Sequence, residues 1–236
     1  LGVNVSTDSR RPLSLRLSAS GNANVAGGSS LSASLGATYR PSPSVTVSMT
    51  PSYLRSHDIA QYVRAADDAT AAPTYGRRYV FANVDLRTLE LATRLDWTFT
   101  SRLSLQLYMQ PLIASGDYHD FKELARPRTY DYTVYGRDAG TLRSESSRYY
   151  ADPDGAGPAP ELSFADPDLN IRSLRGSAVL RWEFRPGSAA YFVWNQNRAD
   201  NGTELGRLDA GDDFSRLANA PSDDVFLVKV SYWLPM

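Results

Sequence analysis

Three stretches of the chain repeat one arrangement, in which a run of alternating apolar and polar residues crosses a tight turn and then resumes the same alternation. The stretches are 31–53, 89–113 and 174–194, with turns at 41–43, 100–102 and 186–187. A period of two residues sends successive side chains to opposite faces of a sheet, and turns this short make neighbouring strands antiparallel. The sequence therefore predicts β-hairpins along most of its length.

One phase of the alternation is apolar and the other is polar. The apolar phase includes Leu31, Leu35, Leu89, Leu91, Leu95, Leu105, Phe226, Val228 and Val230. Four aromatic residues of the same phase lie close to a short turn or to the end of the sequence: Tyr39, Phe99, Phe184 and Tyr232. A soluble β-sandwich alternates in the same way, but aromatic residues gathered at one rim of an apolar band are typical of transmembrane β-barrels.

The alternation predicts eight strands, at 12–25, 29–40, 44–54, 77–99, 102–114, 171–185, 188–197 and 224–235. Apart from a Gly-rich bend near Gly27 and Gly28, tight turns fall at one end of these strands, and the long loops 55–76, 115–170 and 198–223 fall at the other. Outer-membrane barrels have short periplasmic turns and long external loops. We therefore predict an all-β fold, a single antiparallel up-and-down transmembrane β-barrel over residues 1–236, either complete with about eight strands or the C-terminal part of a larger barrel.

Composition limits the classes of partner. The net charge of −1 and the absence of a basic tract predict no nucleic-acid partner. No window approaches the ~20 apolar residues of a membrane-spanning helix, so strands would have to cross any membrane. The opening residues, Leu1 to Val5, lack the basic and apolar regions of a signal peptide. Either a signal peptide has been removed or, as we favour, this is the C-terminal part of a longer protein.

Motifs for catalysis are missing. The two histidines, His57 and His119, both fall in predicted loops, and there is no Gly-x-Ser-x-Gly or His-Glu-x-x-His motif. A hydrolase of the phospholipase type would need a serine and a histidine paired on the outer rim of neighbouring strands. Ser56 and His57 are neighbours in sequence, so on a strand they would face opposite ways and could not form this pair. We expect solvated loop histidines, no enzymatic activity and no cofactor, with an outer-membrane hydrolase as the weakest alternative.

The long segment 115–170 is the predicted binding surface. Phenol rings and planar guanidinium groups together bind sugars, carboxylates or protein surfaces, although tyrosines equally form the core of a folded loop. The binding candidates are Tyr118, Tyr130, Tyr132, Tyr135, Tyr149, Tyr150, Arg126 and Arg128. A soluble secreted β-sandwich that binds a ligand through this segment is the main alternative to the barrel.

Four carboxylates in the same segment are weak candidates for Ca²⁺, which prefers several oxygen ligands on a flexible loop. They are Asp152, Asp154, Asp166 and Asp168. Asp-Pro and Asp-Gly are also the ordinary chemistry of turns. We favour the turn interpretation and predict no bound metal.

Several stretches resemble a known bacterial pattern. They are Leu89-Glu90-Leu91-Ala92-Thr93-Arg94-Leu95-Asp96-Trp97, Asp166-Pro167-Asp168-Leu169-Asn170, Trp194-Asn195-Gln196 and Lys229-Val230-Ser231-Tyr232-Trp233-Leu234-Pro235. They are similar to the C-terminal outer-membrane β-barrel, catalogued as a domain of unknown function, of large proteins that carry an N-terminal family-nine-type carbohydrate-binding domain. The resemblance spans nearly the whole chain, which itself lacks the carbohydrate-binding domain.

This resemblance implies a non-enzymatic protein of the bacterial outer membrane that takes part in glycan binding or uptake. Its implied partners are outer-membrane lipid and, at the external loops, a glycan or another protein. The family has no established catalytic residues to carry over to this chain.

Overall fold

The structure, a computed structural model, describes residues 1–202 and 204–234. It is all-β, with antiparallel sheets. The elements in chain order are β1 (Gly2–Ser6), β2 (Leu13–Ala23), β3 (Ser29–Ser42), β4 (Val45–Asp67), a 3-10 turn (Ala72–Thr74), β5 (Arg77–Thr100), β6 (Leu103–Leu124), β7 (Tyr132–Val134), β8 (Thr141–Glu145), β9 (Arg148–Asp152), β10 (Leu162–Ala165), β11 (Leu169–Arg185), β12 (Ser188–Asn201), α1 (Ala210–Asn219) and β13 (Ser222–Ser231).

Most strands belong to one large sheet, which we call the main sheet. Its order is β1-β2-β3-β4-β5-β6-β11-β12-β13, and β7 pairs with the far end of β6. Each strand pairs with the next one along this path, as the predicted hairpins require. The remaining strands form a second sheet of order β10-β9-β8, which we call the small sheet.

The main sheet is open within the described residues. Strands β1 and β13 each pair with one neighbour and not with each other. All residues of both edge strands are exposed. The confirmed part of the predicted fold is therefore the all-β antiparallel meander, while closure into a barrel stays a prediction.

The strands extend further than the sequence predicted. The predicted loops 55–76, 115–170 and 198–223 are wrong in extent, because β4 continues to Asp67, β6 to Leu124 and β12 to Asn201. Polar residues replace the apolar phase where the β4 extension begins, at 55–58, and β-bulges, such as that between Asp58 and Gln61, break the period of two further along. Strand β1, which was not predicted, has only five residues and so gives a weak periodic signal.

Connections between successive strands of the main sheet gather at two ends. We call one the turn end, with connections at 7–12, 43–44, 101–102 and 186–187, and the other the loop end, with connections at 24–28, 68–76, 125–168 and 202–221. Long and short connections therefore segregate largely as predicted.

The main sheet has one apolar and one polar face. On β5 the apolar face carries Leu89, Leu91 and Leu95, and the polar face carries Glu90 and Arg94, because alternate residues of a strand point in opposite directions. We keep the names apolar face and polar face for the whole main sheet.

The small sheet packs on the polar face at the loop end. A buried cluster joins the two sheets through Val80, Ala82, Phe121, Tyr135, Ala151, Leu162 and Phe164. Ring centroids lie 4.4 Å apart for Phe121 and Tyr149 and 5.0 Å apart for Phe121 and Phe164. Much of segment 115–170 is therefore a folded cap with its own aromatic core.

Helix α1 packs on the apolar face, also at the loop end. Its first turn is capped by Asp209, whose carboxylate accepts hydrogen bonds from the backbone N–H groups of Gly211 and Asp212. The helix buries Leu217 and Asp213, and Asp213 pairs with the buried Arg172 of β11. No helix among the described residues is long and apolar enough to cross a bilayer.

Candidate functional site

The apolar face carries an unbroken row of apolar side chains across eight strands. Ladder partners place these residues side by side: Leu13, Tyr39, Val47, Leu95, Leu107, Ala178, Trp194 and Phe226. A second row beside it contains Val45, Trp97, Leu105, Leu180, Phe192 and Val228. Leu13 and Tyr39 are each 50% exposed and Phe226 is 76% exposed, so this face is presented to the surroundings.

Aromatic residues border this apolar band at the turn end. Ring centroids lie 4.2 Å apart for Trp97 and Phe99, 5.8 Å apart for Trp182 and Phe184, and 6.5 Å apart for Phe184 and Tyr232. The guanidinium of Arg185 donates a hydrogen bond of 2.6 Å to the Tyr232 hydroxyl. Such rings, apolar in body and polar at the tip, suit a boundary between an apolar medium and water.

Charged residues border the band at the loop end. Arg55 and Arg87 are ladder partners, one position beyond the pair Tyr53 and Leu89 on the same face. From Leu89 to Phe99 a strand spans about 34 Å at ~3.4 Å per residue. Tilted by roughly 40°, it would cross about 25 Å, which is the height of the apolar band of an outer-membrane barrel.

Polar groups of the opposite face satisfy one another. Gln110 donates a hydrogen bond of 2.6 Å to the Glu90 carboxylate, and Gln106 donates one of 3.2 Å to Asp96. The Arg94 guanidinium lies 5.7 Å from the ring centroid of Tyr108. Away from the cap, the polar face is therefore lined by side chains that bond to one another and not by a packed apolar core.

Most of the predicted binding tyrosines make packing contacts. Tyr118, Tyr135 and Tyr149 pack in or against the buried cluster under the small sheet. The Tyr135 hydroxyl donates a hydrogen bond of 3.1 Å to Glu123, and burial, with this carboxylate, raises the pKa of Tyr135. Nζ of Lys122 lies 4.9 Å from the ring centroid of Tyr132, and Cζ of Arg143 lies 4.0 Å from the ring centroid of Tyr150.

The other three binding candidates lie together on the exposed connection between β6 and β7. Tyr130 is 65% exposed, Arg128 is exposed, and Arg126 is paired with Asp131. The structure therefore divides the eight candidates into a packed group and this exposed group.

The four candidate Ca²⁺ ligands each accept a hydrogen bond from a backbone N–H group. Asp152 accepts a hydrogen bond from the Gly155 N–H, Asp154 from the Ala159 N–H and Asp166 from the Asp168 N–H. Asp168 accepts a hydrogen bond of 2.6 Å from the Tyr118 N–H. Among the described residues, no three of these carboxylates converge within reach of one ion.

The prediction that both histidines lie in loops is wrong. His57 lies on β4 and His119 on β6, on either side of β5. Their ring centroids are 6.2 Å apart, with Asp85 of β5 between them. The sequence reasoning missed Asp85, although one signal was present: Asp85 and Arg87 continue the phase of Leu89, which marks a change of environment on that face.

The comparisons with known proteins identify a family and no individual relative. A family model described as Domain of unknown function (DUF5916) matches residues 1–236. No curated protein and no solved structure matches the chain.

Proposed function

Because the chain belongs to the DUF5916 family, whose description assigns no activity, we propose its function from its geometry: it forms a membrane-embedded wall of a bacterial outer-membrane β-barrel. One observation carries this proposal. The apolar face presents adjacent rows of apolar side chains across the main sheet, bounded by aromatic residues at the turn end and by arginines at the loop end.

Lipid is the occupant that best accounts for this face. Removing one large apolar side chain from water contributes about 1.5–3 kcal/mol, so rows of them exposed to water would be strongly unfavourable. A soluble β-sandwich would need a second sheet on the apolar face. The small sheet instead packs on the polar face, through Val80 and Ala82, and this argues against the sandwich.

The open edges of the main sheet would need strand partners in a membrane. In hydrocarbon an unpaired strand edge leaves backbone N–H and C=O groups unsatisfied, so spanning sheets close. The proposal therefore requires β1 and β13 to pair with further strands or with each other. The resemblance described above suggests strands from another part of a longer protein.

We assign no catalytic role to the barrel and place recognition at the loop end. The exposed Tyr130, with Arg126 and Arg128 nearby in the chain, offers an aromatic ring and planar cations to a glycan or a protein partner. The buried tyrosines of the cap would support this surface and would not contact the ligand.

Fractionation and surface labelling test the membrane assignment. The full protein should sediment with outer membranes, require detergent for release and change gel mobility on heating. A small tag at Gly155, at the tip of the cap, should bind antibody on intact cells, whereas one at Gly187, in a turn-end hairpin, should bind only after permeabilisation. A soluble protein, or surface labelling at Gly187, would contradict the proposal.

Glycan-array binding tests the recognition surface. The variant Tyr130→Ala with Arg128→Ala should lose binding while its heat-modifiable mobility is kept. Arg137→Ala, which removes another exposed arginine of segment 115–170 that pairs with its sequence neighbour Asp138, is the matched control. Equal loss in the control would mean that binding depends on the overall charge of the cap.

A further inference from the structure

The two histidines of the chain converge on one carboxylate. The 236 residues contain only two histidines, and the fold brings them to either side of Asp85. His57 is the direct ladder partner of Asp85, and His119 is the partner of Asn83, the next residue along the same face of β5. All three side chains therefore point from the apolar face at the loop end, beyond the apolar band.

Distances among the polar atoms suit a shared ligand. Nδ1 of His57 lies 3.0 Å from Oδ1 of Asp85, and Nε2 of His119 lies 4.0 Å from Oδ2 of the same carboxylate. The candidate donor atoms of the three residues all lie within 4.8 Å of one another. Donor atoms around one tetrahedral zinc ion are ~3.4 Å apart. Small side-chain rotations would therefore bring the three donor atoms to the spacing that one zinc ion requires.

An ordinary hydrogen-bonded His and Asp pair explains only half of this arrangement. It accounts for His57 but leaves His119 at a distance too long for a hydrogen bond to Asp85. It also leaves unexplained a second carboxylate at this point of the sheet, that of the exposed Asp117, which is the direct ladder partner of Asp85. Like charges directly opposite each other across a ladder destabilise a sheet, and a bound cation would remove this repulsion.

The cluster is accessible from a groove. An open groove of about 510 Å³ is lined by Ser29, Ser30, Leu31, Arg55, His57 and Asp85. The side chains of His57, Asp85 and His119 are 31%, 24% and 39% exposed, so an ion could enter without unfolding. Arg55 could also hold an anionic ligand, such as a carboxylate or phosphate, that completes the coordination of the ion.

We propose that His57, Asp85 and His119 bind one divalent transition-metal ion, for which Zn²⁺ is the probe. Two imidazoles and one carboxylate suit zinc and related ions better than Ca²⁺ or Mg²⁺, which prefer all-oxygen ligands. Three protein ligands leave a position open for water or an anionic ligand. The site does not depend on whether lipid covers the apolar band, so its test is independent of the membrane assignment.

Chemical modification of the unaltered protein is the first test. Diethyl pyrocarbonate acylates an imidazole nitrogen that has a free lone pair. A coordinated imidazole has one nitrogen on the metal and a proton on the other, so it is protected from the reagent. In the full protein in detergent, after treatment with a chelator, Zn²⁺ should protect both His57 and His119, as read by peptide mass spectrometry. Mg²⁺ should protect neither. Protection of one histidine only, or of none, would overturn the site.

Affinity measurements on variants are the second test. Competition with a chromogenic chelator should show one equivalent of Zn²⁺ bound to these residues, and His119→Gln or Asp85→Asn should weaken binding about tenfold or more. Asp96→Asn is the matched control, because this carboxylate lies on the same strand but on the polar face, bonded to Gln106. Zn²⁺ binding that His119→Gln, Asp85→Asn and the control all leave unchanged would show adventitious association elsewhere and would overturn the site.

Discussion

The rings of Phe121 on β6 and Phe164 on β10 lie with their centroids 5.0 Å apart, and this contact joins the main sheet to the small sheet. Both side chains are buried, at 1% and 5% exposure. Segment 115–170 is therefore held against the polar face by apolar packing, which makes the small sheet a folded cap at the loop end.

Substituting one of these rings should release the cap. Phe164→Ala removes a buried aromatic side chain, a change that typically costs about 3–5 kcal/mol of packing free energy. We expect faster protease cleavage between residues 153 and 160, while the heat-modifiable mobility of the main sheet is kept. Tyr130→Ala, at an exposed site, should leave the cleavage rate unchanged. Loss of the main sheet together with the cap would show that the two fold as one unit.

The two faces of β5 should respond differently to a new charge. Leu95→Arg would place a guanidinium in the apolar band, where an arginine near the bilayer midplane costs ~2–4 kcal/mol. Ala92→Arg places the same group on the polar face of the same strand. Folding into lipid vesicles, followed by heat-modifiable mobility, should be impaired for Leu95→Arg only. Equal tolerance of both variants would rule out lipid contact at this face.

The ion pair beneath α1 should hold the helix in place. Nε of Arg172 lies 2.7 Å from Oδ1 of Asp213, and both side chains are 2% exposed. Asp213→Asn leaves a buried guanidinium with one carboxylate fewer, and breaking such a buried pair costs about 3 kcal/mol or more. Hydrogen exchange of residues 210–219 should accelerate.

The neighbouring Asp212 provides the control for this experiment. It is half-exposed and pairs with Arg216 one turn along the helix, an arrangement worth about 0.3–0.5 kcal/mol. Asp212→Asn should therefore change exchange little. If both variants accelerated exchange equally, the buried pair would not be what anchors α1.

The connection that leads into β11 should show a pH dependence. Burial, with the nearby carboxylates of Asp166 and Asp117, raises the pKa of Asp168 from its ordinary 3.8 to about 6. At a pH between these two pKa values, Asp168 retains a proton in the folded protein that it has lost in the unfolded chain. The contribution of Asp168 to stability is therefore present below pH 4 and is lost as the pH rises to about 6.

Asp168→Asn should remove this dependence. The amide oxygen can still accept the hydrogen bond from the Tyr118 N–H. We expect a higher thermal midpoint than wild type at pH 7 and a flatter profile between pH 4 and pH 7, measured with a chelator present. Asp154→Asn, at an exposed carboxylate of the cap, should follow the wild-type profile. A wild-type slope in Asp168→Asn would contradict the assignment of this titration.

Local alternation determined the strands, the faces and the turns of the main sheet. The sequence predicts the apolar phase that contains Leu95 and Phe226, because the face on which a residue lies depends only on its position along its own strand. The same reasoning placed the tight turns at one end. It failed where polar residues replace the apolar phase, at 55–58 of β4 and 115–117 of β6, so both strands were predicted too short.

Tertiary structure alone decided which distant residues meet. His57, Asp85 and His119 come together because the register across β4, β5 and β6 aligns them. A shift by one residue would place a histidine on the opposite face. Likewise, the burial of Tyr135 and Tyr149 and the exposure of Tyr130 depend on how the cap packs against Val80 and Ala82, contacts between segments that no local pattern encodes.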